Sequence, residues 1–422
     1  MLYALLGSTF VLFLVLGLPI AFVLAVSSVS ACFYLDYPLD IMCQRFFTAI
    51  DSFPLMAIPL FMLAGSFMSK GGITEAIISF ALSIVGGIRG SLAHVVAISG
   101  VIMGGISGSG VADTAALGTV MVPEMKKRSY SVEFSAALVA ASGAIGLIIP
   151  PSIAIIIYGV TTQSSIGDLF LAAIIPGVGI GLGFLTYSWW FTRKHNYPAE
   201  GKVPFKEMVH RFRIAFWALM MPVMIIWGIR GGVFTPTEGG AVVAVYAMVL
   251  SLFVYRKITF KDILPICIDA AVNTAAIAII IAATSLFGWI LASERIPQML
   301  SAALVSITEN RYILITIVIG LLLICGMFLD SSPAILLLCP ILAPAMQAVG
   351  INLVQFGIVM VVVLTIGLLT PPVGTALFVS SNVTKVPLTR LSVHVLPFIG
   401  VMFAVALLIA YVPEVVTWVE SK

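Results

Sequence analysis

The sequence predicts an all-α polytopic membrane protein made of two inverted-topology repeats, and three observations lead to this prediction. The chain is 61% hydrophobic and 9% charged, whereas about 25% of residues in an average soluble protein are charged. Two long stretches repeat one pattern, and Lys and Arg cluster in particular loops. The bilayer is therefore the expected solvent, which excludes a soluble enzyme and leaves nucleic-acid binding without support.

Residues 1–192 form the first predicted repeat. A membrane helix needs about 17–25 predominantly apolar residues, and runs close to this length predict spans near residues 5–35, 54–69, 73–88 and 166–191. Between them, the composition predicts a re-entrant hairpin at about 91–125 and a broken transmembrane helix at about 130–161. A polar cytoplasmic linker at 193–213 ends this half.

Residues 214–422 form the second predicted repeat, with the same layout. Its spans are expected near residues 214–229, 236–255, 263–291 and 391–412, its hairpin at about 312–346 and its broken helix at about 353–380. Segments 40–53 and 296–307 look amphipathic. They either lie flat on the membrane as braces or are ordinary connectors.

A proline-containing motif relates the two halves. Gly146–Pro151 and Gly367–Pro372 share the pattern Gly-Leu-x-x-Pro-Pro and lie 221 positions apart. Pro123 and Pro344 have the same offset. A duplication explains this regularity better than chance placement of glycine and proline, and internal repeats of this kind are typical of transporters.

The positions of Lys and Arg predict the orientation, because basic residues in short loops stay on the cytoplasmic side. If each hairpin enters and leaves on one side, 16 of the 21 basic residues lie inside, and five lie outside: Lys70, Arg230, Arg295, Arg311 and Lys422. Both termini then lie on the outer side of the membrane. The two halves are inverted, with one hairpin opening inward and the other outward.

Each predicted hairpin carries polar residues at membrane depth. Gly104–Thr114 holds four glycines, two serines and Asp113, and Gly326–Pro333 holds Asp330 and two serines. An Asp at the bilayer centre costs about 2.5–3.5 kcal/mol on insertion scales, so these segments should be buried in protein or line a watery cavity. A small-residue helix interface would explain the glycines but leaves Asp113 unexplained.

The two Gly-Leu-x-x-Pro-Pro motifs predict helix breaks opposite these hairpins. The first proline lacks an N–H donor, and the second restricts the backbone of the first. Carbonyl groups freed at a helix break, together with Ser and Thr hydroxyls, suit a hard cation such as Na⁺, and half-helix N-termini suit a carboxylate substrate.

These motifs, together with Phe234–Gly240, resemble the large membrane subunit of tripartite ATP-independent periplasmic (TRAP) transporters, within the wider ion-transporter superfamily. The resemblance covers essentially the whole chain. It implies an elevator transporter, in which the hairpins and broken helices form a mobile transport domain that slides against a scaffold domain. It also implies import of organic acids with two or more Na⁺, a small membrane subunit of about four helices and a periplasmic binding protein. No enzymatic activity, organic cofactor or transition metal is expected.

The resemblance also implies the site residues. The first Na⁺ site would use Ser107, Ser109, Gly146 and Ile149, and the second would use Gly326, Gly367 and Thr370. Asp113 and Asp330 would coordinate or orient ligands or compensate cation charge. The polar candidates for contact with a small anionic substrate are Ser107, Thr114, Ser331, Ser332 and Thr375.

Overall resemblance favours sialic acid (N-acetylneuraminate) as the substrate, with a C4-dicarboxylate as the other option. Two rival functions remain at this stage. Gly105–Gly108 matches the loose GxSG pattern of intramembrane serine hydrolases, but no histidine is convincingly at the depth of Ser107. A non-transporting receptor or structural subunit would leave the two carboxylates and the two helix breaks without a purpose.

Overall fold

The computed structural model describes residues 2–308 and 310–419, and every regular element in these ranges is helical. Lys422, which the charge count placed outside, is not among the described residues. Seven of the described helices are long and apolar enough to cross a membrane. The predicted all-α membrane architecture is confirmed.

The first half contains ten helices, and two of them adjoin a short 3₁₀ turn. They are α1 (Leu2–Val15), α2 (Ile20–Tyr34), α3 (Leu39–Thr48), α4 (Ala57–Lys70, preceded by the turn Phe53–Met56), α5 (Ile73–Val85), α6 (Ser91–Ser107), α7 (Gly110–Lys127), α8 (Val132–Ala144, followed by the turn Ile145–Leu147), α9 (Ile153–Thr162) and α10 (Ile166–Lys194).

The second half also contains ten helices within the described residues. They are α11 (Phe205–Arg230), α12 (Pro236–Val249, continued by the π-helical turn Leu250–Val254), α13 (Phe260–Ser293), α14 (Ile296–Ile307), α15 (Arg311–Gly326), α16 (Ser331–Ala348), α17 (Leu353–Gly367), α18 (Thr375–Thr384), α19 (Leu388–Tyr411) and α20 (Glu414–Thr417).

The offset of 221 residues relates helices as well as motifs. It moves α7 onto α16 residue for residue, and it moves α6, α8, α9 and α10 onto α15, α17, α18 and α19 to within a few residues at each end. It also pairs α5 with α14, and α4 with the second half of α13. The duplication therefore extends beyond the hairpins to the helices that surround them.

Both ends of the first hairpin, α6–α7, lie on one face of the molecule. The backbone N–H of Glu200 donates to the Ser91 hydroxyl at 3.2 Å, and the Glu200 carboxylate pairs with Arg128 at 2.8 Å. Ser91 begins α6 and Arg128 follows α7, so the hairpin is re-entrant. We call this the basic face and define it by the loop 195–204.

The second hairpin, α15–α16, opens on the other side, which we call the opposite face. Tyr312 near the start of α15 and Gly350 after α16 line one small cavity together with Pro413. Gly350 also lies beside Ser165, which caps the start of α10. Because α10 runs 29 residues from there to the basic face, the two hairpins enter from opposite sides.

The two broken helices cross the molecule and hold its halves together. The segments α8 and α9 contain 13 and 10 residues, or about 20 and 15 Å at 1.5 Å per residue, so the break lies near mid-depth. The Tyr158 hydroxyl of α9 donates to the Leu353 carbonyl of α17 at 2.7 Å. In return, the Ser380 hydroxyl of α18 donates to the Ala136 carbonyl of α8 at 2.8 Å.

The predicted single span at residues 5–35 is wrong, because the structure has two helices there. Gly17 adopts φ +79°, a left-handed conformation that commonly ends helices, and Pro19 precedes the first turn of α2. The helices α1 and α2 pack against each other. A run of apolar residues without charges hid this turn in the sequence.

The predicted direction of the next span is also wrong. The Thr237 hydroxyl at the start of α12 donates to the Phe53 carbonyl at 2.8 Å, and the Ser251 hydroxyl at the end of α12 donates to the Phe67 carbonyl at 3.1 Å. Thus α4 runs parallel to α12, whereas the charge count made these spans antiparallel. Lys70, at the end of α4, lies on the basic face.

Helix α5 does not cross the membrane as the predicted span at 73–88 did. At its start, Gly72 packs against the Lys257 side chain. Beyond its end, the Gly86 carbonyl accepts the N–H of Gly201 at 3.0 Å. Both ends therefore lie on the basic face, and the buried residues of α5 pack against α6 and α11.

Arg45 compensates for this change in the charge count. Its guanidinium lies 5.3 Å from the ring centre of Trp289, near the end of α13 on the opposite face. Lys70 and Arg45 thus exchange sides, and the count among the described basic residues stays at 16 against four. The numbers of basic residues on the two sides are the same in both arrangements, so they could not have revealed the wrong direction of this span.

The linker is shorter than predicted, because α11 begins at Phe205 and leaves residues 195–204 as the loop. Pro204 precedes the first turn, and Arg211 pairs with Glu207 one turn earlier, a spacing that stabilises helices. Both segments proposed as braces contain helices, α3 and α14.

We expect Lys70→Cys and Lys202→Cys to react with a membrane-impermeant maleimide from the same side of sealed vesicles, since both positions lie on the basic face. The substitutions are made in a variant without the native cysteines, and Arg230→Cys serves as the reference for the other side. The exposed Lys70–Asp269 pair contributes at most about 1 kcal/mol, so its loss should leave the fold intact. Reaction of Lys70→Cys and Arg230→Cys from the same side of the vesicles would contradict this arrangement.

Candidate functional site

The tip of the first hairpin is a tight turn made of small residues. Ser107 ends α6, and Gly108 adopts φ +64°, which glycine accommodates without strain. Ser109 then caps α7 by accepting the N–H of Ala112 at 3.4 Å. The Ser107 hydroxyl accepts the N–H of Ser109 at 3.1 Å. The turn directs the first N–H groups of α7 toward the middle of the molecule.

This tip lies directly against the break between α8 and α9. A Cβ atom added to Gly104 would lie 2.7 Å from the Cα of Gly146, and one added to Gly108 would lie 2.6 Å from the Pro151 carbonyl oxygen. Real side chains do not fit at such distances. Glycine is therefore required on the hairpin side so that the two backbones can touch.

Asp113 lies behind this contact and is buried, with 2% of its surface exposed. Its carboxylate faces Gly146, the Ser107 hydroxyl lies beside it, and the Oδ2 atom has no hydrogen-bond partner among the described residues. The Ile149 carbonyl at the break accepts no hydrogen bond from them either. Buried oxygens without partners call for an ion or water, and oxygen ligands suit hard cations.

The second tip repeats the backbone contact. Helix α15 ends at Gly326, and a Cβ atom added to Gly367 at the other break would lie 2.5 Å from the Gly326 carbonyl oxygen. The N–H of Val373 donates to the Met327 carbonyl at 3.2 Å. The hairpin turn and the break are therefore joined through their main chains.

Polar groups of the second tip are available for a ligand. Asp330 occupies the N-cap position of α16 but forms no capping hydrogen bond. Thr375 begins α18 with its hydroxyl near the Asp330 carboxylate, yet that hydroxyl and the buried Ser331 hydroxyl have no partner among the described residues. Thr370 differs, since its hydroxyl donates to the Ile366 carbonyl at 2.8 Å.

The two tips differ in access. Pro150 and Pro151 at the first break are buried, whereas their counterparts Pro371 and Pro372 are exposed. Asp330 is likewise exposed, although it lies deep among protein atoms, as a group lining a crevice does. The first tip is covered by other helices, because α4 packs Gly65 against Ser107 and α11 packs Pro222 against Gly105.

The structure brings most of the sequence-predicted residues together in two groups, although their roles stay predictions. One group surrounds the first tip and the other the second: Ser107, Ser109, Asp113, Gly146 and Ile149; and Gly326, Asp330, Ser331, Gly367, Thr370 and Thr375. Thr114 lies apart, since its hydroxyl donates to the Gly110 carbonyl and packs against Gly143. Ser332, one residue into α16, is buried.

Sequence reasoning missed the residues that cover the first tip. Gly65 and Pro222 lie within apolar helices, and nothing in their local sequence indicates a contact more than 40 residues away. Gly104 could have been predicted from the sequence. It lies three residues before Ser107, and residues at this spacing share one face of a helix.

The serine-hydrolase alternative lacks its histidine. His94 lies 13 residues before Ser107 on the same helix, or about 20 Å away, and its Nδ1 atom is 2.9 Å from the Gly90 carbonyl. His394 is half-buried, and its Nδ1 atom lies 2.9 Å from the Arg390 carbonyl at the start of α19. Neither can serve Ser107 as a general base.

Two re-entrant hairpins, entering from opposite faces and meeting broken helices at mid-depth, define a membrane transporter of the inverted-repeat class. The family model of the "Tripartite ATP-independent periplasmic transporter, DctM component" matches residues 7–415. The chain belongs to this family, and the resemblance noted from its motifs is confirmed.

Relatives with diverse substrates support the assignment. The chain is 40% identical over 408 residues to the isethionate TRAP transporter permease DctMQ of Oleidesulfovibrio alaskensis, covering 96% of this chain and 64% of that protein. It is 37% identical to the 2,3-diketo-L-gulonate large permease YiaN of Escherichia coli, covering 95% of both. It is 39% identical to the sialic acid large permease SiaM of Vibrio cholerae, covering 89% of this chain and 88% of SiaM.

The fold also has a solved counterpart. The crystal structure of the Alcanivorax borkumensis YdaH transporter superposes with a TM-score of 0.63, at 13% identity, over 99% of this chain and 98% of that one. At this identity, the likeness concerns the fold alone.

We expect Gly367→Ala to abolish transport, because the new Cβ would meet the Gly326 carbonyl and separate the tip from the break. Gly320→Ala is the matched control, since a Cβ there meets nothing within 4 Å and alanine is about 1 kcal/mol better than glycine within a helix. Uptake is measured in vesicles, with membrane insertion checked by quantitative blotting. Normal uptake by Gly367→Ala would show that the close contact is dispensable.

Proposed function

We propose that this chain is the large permease of a Na⁺-coupled elevator transporter, which takes up a small organic anion across the bacterial inner membrane. The single observation that supports this proposal best is the pair of hairpin tips seated against helix breaks at mid-depth. Each tip gathers carboxylate, hydroxyl or carbonyl oxygens that lack partners among the described residues.

The difference between the tips supports alternating access. The first tip lies under Gly65 and Pro222, whereas the second is open at Asp330 and Pro371. In the proposed mechanism, the hairpins and broken helices move together as the transport domain, and the remaining helices form the scaffold. Each tip is covered in turn.

Membrane energetics favour cation coupling. Each positive charge that moves inward across 100 mV gains about 2.3 kcal/mol. Two Na⁺ with one monoanion carry a net charge of +1, so the membrane potential drives uptake that it would otherwise oppose. We therefore propose two or more Na⁺ per transport cycle and no enzymatic reaction.

The substrate class follows from relatives named for isethionate, diketogulonate, sialic acid and C4-dicarboxylate. All four are organic acids, so we propose an organic anion and keep sialic acid as the first candidate to assay. The family description names a tripartite periplasmic transporter. We accordingly propose a small membrane subunit and a periplasmic binding protein as partners, with both termini of this chain in the periplasm.

Asp330→Ala should abolish Na⁺-driven uptake. Losing a charged ligand of a cation costs about 1.5–3 kcal/mol, or roughly a ten- to hundredfold weaker site, which is enough to leave a weak cation site largely empty at ordinary Na⁺ concentrations. The assay uses the chain with its small subunit in vesicles, an imposed Na⁺ gradient, and candidate anions delivered with and without a binding protein.

Asp51→Asn is the control for that experiment, because Asp51 is exposed and the surface cavity that it lines contains no residue of either tip. Full activity in Asp330→Ala would remove this carboxylate from the mechanism. Uptake by the unaltered chain that ignores both Na⁺ and the binding protein would contradict the proposed function itself.

Ser107→Ala should raise the Na⁺ concentration for half-maximal uptake about tenfold, since losing one contact to a charged group costs about 1.5 kcal/mol. Thr119→Ala removes a hydroxyl from the same hairpin that is exposed and bonded only within its own helix. This control should leave the Na⁺ dependence unchanged. Equal shifts in both variants would indicate a general weakening of the hairpin rather than a lost ligand.

A further inference from the structure

An apolar cleft of about 480 Å³ lies between α1, α13, α14 and α16. Its walls include Phe10 of α1, Phe287 and Leu291 of α13, and Leu337 and Ile341 of α16. Leu, Ile, Val, Met, Phe and Gly make up the whole lining. The cleft opens sideways from the molecule, since Val11 on its rim is 56% exposed.

The lining excludes water and polar ligands as occupants. A water molecule needs two to four polar partners, and the side chains here offer none. The helices concerned are apolar along their length, and the chain is a membrane transporter, so the cleft faces the hydrocarbon of the bilayer. Its occupant must be apolar where it enters.

The size of the cleft distinguishes an acyl chain from a protein helix. A helix about 10 Å across fills roughly 420 Å³ in one turn of 5.4 Å, so the cleft would hold little more than a single turn. An apolar cavity of about 150 Å³ accommodates benzene, which has six carbons. By that scale, 480 Å³ has room for roughly eighteen carbons, the length of one phospholipid acyl chain.

We propose that this cleft binds one acyl chain of a bilayer phospholipid. The headgroup stays outside, and the chain packs between α1, α13 and α14 on one side and α16 on the other. Gly7 leaves space for it, because a Cβ there would meet nothing within 4 Å.

The position of the cleft gives the lipid a second role, which rests on the proposed function. Helix α16 belongs to the second hairpin and thus to the proposed transport domain, whereas α1, α13 and α14 belong to the scaffold. The bound chain fills the gap between the two domains. Because apolar contacts have no direction, the chain keeps both walls covered as they slide.

The test counts phospholipids that remain bound to the purified complex of this chain and its small subunit. The complex is reconstituted in 1-palmitoyl-2-oleoyl-phosphatidylcholine, extracted in mild detergent and analysed by native mass spectrometry. We expect about one retained phospholipid per unaltered chain. Gly7→Trp and Val11→Trp fill the cleft, and we expect both variants to lose the retained phospholipid.

Gly400→Trp is the matched control, since a Cβ at this position of α19 also meets nothing within 4 Å but lies away from the cleft. It should retain lipid like the unaltered chain. Equal retention in Gly7→Trp, Val11→Trp and the unaltered chain would overturn the proposal. Loss of the small subunit from the two filled variants would overturn it in favour of a partner helix. Uptake is measured in parallel, so failure of Na⁺ coupling is distinguished from failure of lipid binding.

Discussion

The contact between a hairpin tip and a helix break is the interaction on which this architecture depends. Main-chain polar groups inside a bilayer must find partners within the protein, and two helix breaks expose several of them at mid-depth. The structure brings each break against the tip of the hairpin in the same repeat. Gly104 contacts Gly146 in the first repeat, and Gly326 contacts Gly367 in the second. Glycine allows the main chains to approach closely, and oxygens without partners among the described residues lie near this contact at both tips. The demand for backbone satisfaction and the proposed binding of an ion thus rest on one geometry.

The sequence predicted the two hairpin tips and the two helix breaks, because the residues that are costly within a membrane helix also mark their positions. Glycine, proline and carboxylate residues within apolar runs contradict a straight membrane helix, so Gly108, Asp113, Asp330 and the two proline pairs were identifiable from composition. The duplication at a fixed offset then related one half to the other. Long-range packing left no such mark: Gly65 and Pro222 lie in ordinary helices, and their contact with the first tip is visible only when the chain is folded.

Topology was the least predictable aspect, for a reason specific to membrane proteins. Helix α5 is as apolar as a span, but its apolar residues contact α6 and α11, and hydropathy does not distinguish lipid from protein as the surroundings. The charge bias could not correct the assignment, because moving Lys70 to the basic face moves Arg45 away from it. Directions of helices had to be determined from paired contacts at both ends, such as Phe53 with Thr237 and Phe67 with Ser251.

The exchange of hydrogen bonds between the broken helices has a consequence for biosynthesis. Tyr158 finds its partner 195 residues later in the chain, and Ala136 receives the Ser380 hydroxyl from 244 residues later. At about 5–20 residues per second, the first half is made roughly 10–40 s before its counterpart emerges. During that interval its break and its hairpin are in the membrane without the helices that complete them. The hydrogen bonds that join the two halves can therefore form only after most of the second half has been inserted.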